Sequence, residues 1–120
     1  MFPLTIKIVG FHSANFMILN KVLTSSNTKV LEANLAENKT YATVAMFFCN
    51  TSTTASNVNI YVVPNGSLPS TSNMIVNKLT VEAEDTVEFE MEKIILDKGA
   101  AIYAKADKGN ITATISYVEM

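Results

Sequence analysis

The chain has 120 residues and a formal net charge of −2 at pH 7, and all nine of its basic residues are lysines. This length is typical of one domain, and the 48% hydrophobic content predicts a folded globule rather than a disordered tail. The weak charge and the absence of arginine argue against nucleic-acid binding and against a polybasic membrane patch.

The first half of the chain predicts several strands. Residues 4–9 alternate between apolar and polar side chains, and residues 16–23 are apolar on both faces. Residues 29–35 fit either a strand or one short helical turn. Residues 41–49 form a near-continuous apolar run, which is typical of a central strand covered on both sides. Residues 50–57 then predict a polar loop that does not pack.

The next segment predicts a strand, a long loop and another strand. Val58, Ile60 and Val62 share one face of the first strand. Residues 64–73 predict the longest surface loop, because Asn-Gly requires a positive φ and the two prolines cannot take a ladder position. Residues 74–83 resume the strand pattern.

Alternation at period two is the strongest pattern in the second half. In residues 86–92 and again in residues 111–117, every odd position is apolar and every even one is polar. Residues 101–106 form a further strand, and residues 107–110 predict the last hairpin turn. A helix over residues 79–96 is the alternative, but this alternation would spread its apolar side chains around the whole helix.

Strands that recur every eight to twelve residues with turns between them predict the fold class. We expect an all-β protein with a single antiparallel β-sandwich or jelly-roll-like domain of about eight strands, spanning residues 1–120.

Candidate chemistry is sparse. His12 is the only histidine, so neither a His-based zinc site nor a catalytic triad can be assembled. Six acidic residues cluster between positions 82 and 92, but on a strand they lie in a row rather than around a Gly-turned calcium loop. The cluster is Glu82, Glu84, Asp85, Glu88, Glu90 and Glu92. We therefore expect a solvated acidic face and no metal, cofactor or enzyme activity.

Other single residues also have a plain structural interpretation. Cys49, the only cysteine, excludes an intrachain disulfide and is predicted to be a buried, inert thiol. The tyrosines are predicted to border the core rather than to form a sugar-stacking platform. They are Tyr41, Tyr61, Tyr103 and Tyr117. Asn-x-Ser/Thr occurs by chance at Asn38, Asn50, Asn65 and Asn110.

From residue 44 onward the order of elements resembles small accessory structural proteins of tailed bacteriophage virions. The resemblance is carried by Phe48-Cys49-Asn50-Thr51-Ser52, Ile60-Tyr61-Val62-Val63-Pro64, the acidic turn, the strand ending Glu92-Lys93-Ile94-Ile95-Leu96, the Gly99 turn, and the final strand at 111–119. It implies a β-sandwich repeated on the particle, as capsid decoration or as part of the collar, tail or baseplate.

We accordingly expect a non-enzymatic virion protein that assembles with copies of itself and with other virion proteins, without nucleic acid or membrane. The chain shows no basic segment ahead of an apolar one and no transmembrane-length apolar run, so we expect assembly in the host cytoplasm. The alternative is a carbohydrate-binding or adhesion module, against which the absence of tryptophan argues. Residues 11–23 and 65–73 are the predicted contact surfaces.

Overall fold

The computed structural model describes residues 15–89 and 93–120. Over these residues the chain forms strands and one short 3₁₀ turn, Thr71–Asn73. The strands are β1 (Asn15–Leu23), β2 (Thr28–Glu32), β3 (Tyr41–Asn50), β4 (Ser56–Val63), β5 (Met74–Val81), β6 (Thr86–Glu88), β7 (Ile95–Leu96), β8 (Ala101–Ala106) and β9 (Ile111–Glu119). Within the described residues, no helix is long and apolar enough to cross a membrane. The predicted strand at 4–9 lies outside them.

The strands form two antiparallel sheets. The first has the order β1-β9-β3-β6, with β7 also paired to β3, and the second has the order β2-β8-β4-β5. Because β6 and β7 pair with different stretches of β3, they share one strand position. Consecutive strands mostly lie in different sheets, so most connections cross from one sheet to the other, as in a jelly roll. The predicted all-β sandwich of about eight strands is confirmed.

One buried core fills the space between the sheets. The largest side chains that are almost fully buried come from both sheets and include Phe48, Met46, Ile115, Ile60 and Ile102. Met46, Phe48 and Ile115 alternate with more accessible neighbours, which is the period-two pattern that the sequence shows. In β6 the same parity holds, because Thr86 and Glu88 are exposed while Val87 is partly buried.

The predicted hairpin at residues 107–110 is wrong. β8 belongs to the second sheet and β9 to the first, so the tight turn connects the two sheets. The turn does reverse the chain: Gly109 N–H donates to Ala106 O at 2.9 Å, and Gly109 and Asn110 have φ of 67° and 59°. The turn residues determine the reversal but not the strand that each side pairs with, which depends on distant parts of the chain.

The loop after β3 is better packed than the sequence predicted. Asn50 is only 1% exposed, and its side-chain amide donates to Thr54 O at 2.9 Å and to Val81 O at 3.1 Å. Its Oδ1 accepts from the backbone N–H and the hydroxyl of Ser52, both at 2.9 Å. A polar side chain buried with all these partners fixes the loop to the end of β5.

The remaining segments follow the sequence with small changes. The ambiguous segment at 29–35 is a strand as far as Glu32. The loop at 64–73 lies on the surface, with Gly66 at a φ of 86°, and β5 runs from Met74 only to Val81. The alternating strand predicted at 86–92 is confirmed as far as Glu88; residues 90–92 are not among those described.

Candidate assembly surface

β3 is central in its sheet, but within residues 15–89 and 93–120 its outward side is left partly exposed. It lies between β9 on one side and β6 and β7 on the other, and its inward Met46 and Phe48 are each 1% exposed. Val44 and Phe47 are nevertheless 49% and 38% exposed. The prediction that this strand is covered on both sides is therefore wrong over the described part of the chain.

The exposed side of this sheet forms a surface that we call the uncharged face. We define it by the outward side chains of β1, β9 and β3, which the ladder registers bring side by side: Ile18 pairs with Ser116, Val22 with Thr112, and Phe47 with Thr114. The set is Phe16, Ile18, Asn20, Val22, Thr112, Thr114, Ser116, Val118, Ala45, Phe47 and Cys49.

The uncharged face combines exposed apolar side chains with neutral polar ones. Ile18 and Val22 are 71% and 61% exposed, and none of the residues that define the face is charged. Its polar groups also bond one another, since the Thr114 hydroxyl donates to Asn20 Oδ1 at 2.7 Å. At the rim, on β6, lies the exposed Glu88. An uncharged face that groups several exposed apolar side chains is a candidate interaction surface.

The outward side of the second sheet is chemically different, and we call it the charged face. It includes the outward side chains of β2, β8 and β4, namely Lys29, Glu32, Tyr61, Tyr103, Lys105, Asn57 and Asn59. Lys29 Nζ lies 3.0 Å from Glu32 Oε2 and 6.0 Å from the centre of the Tyr103 ring. The hydrogen bond to Glu32 raises the pKa of Lys29. Such charged, mutually paired groups suit contact with water.

A hydrogen-bonded corner joins the charged face to the turn between β8 and β9. Asp107 Oδ1 accepts from Asn57 N–H at 2.9 Å and from the Ser56 hydroxyl at 3.1 Å. These bonds, led by the one from the Asn57 backbone, lower the pKa of Asp107. A depression of about 310 Å³ adjoins the corner, lined by residues 22–25 and 107–110. Because both carboxylate oxygens of Asp107 already accept bonds from the protein, this corner is a structural network.

The acidic cluster does not form a binding site in the described residues. Glu82, Glu84 and Asp85 are exposed in and beside the turn before β6, where Glu84 has a φ of 58°. Asp85 Oδ1 accepts from Thr86 N–H at 2.8 Å. Among the described residues no three His, Cys, Asp or Glu side chains converge as metal ligands. Glu90, Glu92 and His12 lie outside those residues.

The tyrosines are spread over the two sheets. Tyr41 and Tyr117 pack edge to face against the core, with ring centres 5.0 Å apart, and burial raises the pKa of Tyr117. Tyr61 and Tyr103 pair across β4 and β8, so they lie side by side on the outward side of the second sheet, but Tyr61 is only 4% exposed. The four tyrosines therefore do not form one exposed platform.

Cys49 and the Asn-x-Ser/Thr sites occupy distinct environments. Cys49 is half-buried on the uncharged face, so it is more accessible than the buried thiol that the sequence predicted. Asn50 is buried and fully bonded, whereas Asn38, Asn65 and Asn110 are exposed.

The two predicted contact segments lie in different places. Residues 11–14 are outside the described part of the chain, but β1 contributes Ile18 and Val22 to the uncharged face. The loop at 65–73 belongs to the second sheet, where Leu68 is 77% exposed and its carbonyl accepts from Asn73 Nδ2. The contribution of β3 was missed, although its apolar residues at both parities could have indicated it.

Comparison with known proteins adds a likeness of fold. No protein-family model and no curated protein sequence matches the chain. Among solved structures, it is similar to one described as "Bacillus endospore appendages form a novel family of disulfide-linked pili". The TM-score is 0.52 at 10% sequence identity, and the match covers 88% of this chain and 83% of that one. At this identity the likeness concerns the fold alone.

Proposed function

We propose that this protein is a non-enzymatic structural component of a tailed bacteriophage virion, present in many copies and acting through protein–protein assembly. Its position in the particle would be capsid decoration or a part of the collar, tail or baseplate. Its partners would be copies of itself and other virion proteins, and the particle would assemble in the host cytoplasm.

The observation that carries the proposal is the exposed apolar side of β3. A near-continuous apolar strand normally has both faces covered, yet Val44 and Phe47 are left 49% and 38% exposed. Burial of apolar surface is favourable by roughly 25 cal/mol per Å², so contact with another protein would stabilise this side of the sheet. The sequence of β3 thus fits a strand whose second cover comes from an assembly.

Two further observations support assembly. From residue 44 onward the order of strands and turns resembles accessory virion proteins. The similar solved structure is described as belonging to pili, which are assemblies of protein subunits. That description specifies disulfide linkage, whereas these 120 residues contain only Cys49. One cysteine can join two copies but cannot link a polymer throughout, so we propose assembly by non-covalent contacts.

The alternative of a carbohydrate-binding or adhesion module has less support. Sugar recognition by stacking requires exposed aromatic rings that share a surface. Here Tyr41 and Tyr117 pack against the core, while Tyr61 is buried on the other sheet.

Mass spectrometry of purified particles tests the proposal. The particles are purified by density-gradient centrifugation, treated with nuclease and washed. They should retain the protein in a fixed, multicopy ratio to the main capsid protein. If the protein is present in the infected cell but missing from intact particles, the virion proposal is wrong.

A further inference from the structure

We infer that the partner on the uncharged face is a second copy of this chain, stacked sheet on sheet about a twofold axis. This inference rests on the proposed function, according to which the chain assembles with other proteins. It specifies one contact of that assembly. Sheets that stack in this way lie about 10 Å apart, with their side chains interdigitated.

The size of the surface suits a weak, reversible contact. Three strands of nine residues measure about 14 by 30 Å, which gives roughly 860 Å² for two copies together. Stable interfaces of standard size bury about 1,600 Å², and transient ones bury less than about 1,200 Å². We therefore expect a contact that forms and dissociates with protein concentration.

The chemistry of the surface favours a copy of itself. In a twofold contact the same patch meets itself, so any net charge on the patch would repel its copy. The residues that define the uncharged face carry none, and the Thr114 hydroxyl already bonds Asn20 within the chain. A partner recognised through charge would find no complement there. Apolar side chains such as Ile18, Val22 and Phe47 can instead pack against their own copies.

The accessibility of the Cys49 thiol can be used to measure this contact. Cys49 lies within the uncharged face, where it pairs across the ladder with Thr112, and it is half-buried. A second copy on the face would cover the thiol, so its labelling by a maleimide would slow as the dimer forms.

The test measures the labelling rate of Cys49 in the full chain over a range of protein concentrations, with the mass followed by sedimentation velocity. We expect the labelling rate to fall at least about tenfold as dimer replaces monomer, because the rate should be proportional to the fraction of free monomer. The control is Leu68→Cys in a Cys49→Ser background. Because Leu68 is 77% exposed on the loop of the other sheet, its rate should not depend on concentration.

A charge on the face should remove the effect. Phe47→Lys should leave the chain monomeric, with rapid labelling of Cys49 at every concentration, and Val22→Lys should do the same. Both side chains are exposed, so circular dichroism should remain that of the folded protein.

Two outcomes would overturn the inference. Rapid labelling of the wild-type chain at all concentrations would show that the face stays open. Slow labelling of a monomer at all concentrations would show that another part of the same chain covers it. Either result leaves the virion proposal standing if particles contain the protein. Conversely, a dimer that is missing from particles would retain the inference and refute the virion proposal.

Discussion

The two outward faces of the sandwich differ in chemistry although one core supports both. On the charged face, Lys29 pairs with Glu32, and Asn57 bonds the Asp107 corner. On the uncharged face, Ile18 and Val22 stand exposed beside neutral hydroxyl groups. The difference shows that the outward positions of a period-two strand need not be adapted to water. The charged face suits solvent, whereas the uncharged face suits another protein surface.

The largest expected effect separates the two sides of β3. Phe48→Ala should destabilise the chain by about 3–5 kcal/mol, because it leaves a cavity in the core. Phe47→Ala removes a side chain that is 38% exposed and should cost under about 1 kcal/mol in the monomer. Denaturant unfolding at low protein concentration measures both. Equal losses would mean that the two faces are not distinct in the way described.

A second large effect is expected at the buried amide that closes one end of the sandwich. Asn50→Leu removes the amide donor to the carbonyls of Thr54 and Val81, and should cost about 2–6 kcal/mol at about 1–3 kcal/mol for each of these two lost bonds. The exposed Asn27 provides the control, since Asn27→Leu should change the free energy of unfolding by less than about 0.5 kcal/mol. A silent Asn50→Leu would show that the loop is not held by this side chain.

A third pair of variants adds a charge to the uncharged face or removes one from the charged face. Thr114→Lys adds a charge at the centre of the uncharged face and should weaken self-association at least about tenfold, as expected when a charge is desolvated at an interface. Lys105→Thr removes a charge from the charged face and should leave self-association unchanged. Sedimentation equilibrium compares the two variants. A stronger effect from Lys105→Thr would reverse the assignment of the faces.

The smallest expected effect is the acid sensitivity of the Asp107 corner. The folded-state pKa of Asp107 is lowered, so its carboxylate stabilises the fold above the ordinary aspartate pKa of about 3.9, and this stabilisation is lost as pH falls through the folded pKa. Asp107→Asn should therefore lower the melting temperature slightly at pH 7, and the difference from wild type should shrink below about pH 4. Melting curves at pH 7 and pH 3 measure this. A difference that grows in acid would contradict the sign.

The sequence predicted those parts of the fold that depend on local parity. Ile111, Ala113 and Ile115 alternate with polar neighbours, and the structure buries them as expected. It did not predict that β8 and β9 lie in different sheets, because a turn sequence reports a reversal and not the strand partners. The burial of Asn50 could not be predicted either, because its hydrogen-bond partner Val81 is distant in the sequence.

The candidate surface was only half predictable for a related reason. The sequence predicts residues 11–23, which include β1, as a contact segment, and this contact stays a prediction. The near-continuous apolar run of β3 predicts a strand covered on both faces, and sequence alone does not distinguish a cover from the same chain from one supplied by a partner. The structure makes that distinction, since it leaves Phe47 exposed.

Hydroxyl-radical footprinting of the protein in intact particles and as a dilute monomer tests the central claim most directly. We expect Phe47 on the uncharged face to lose most of its reactivity in the particle, while Tyr103 on the charged face keeps its reactivity. Protection of Tyr103 with Phe47 left fully reactive would contradict the account, because the uncharged face would then not be the surface that assembly covers.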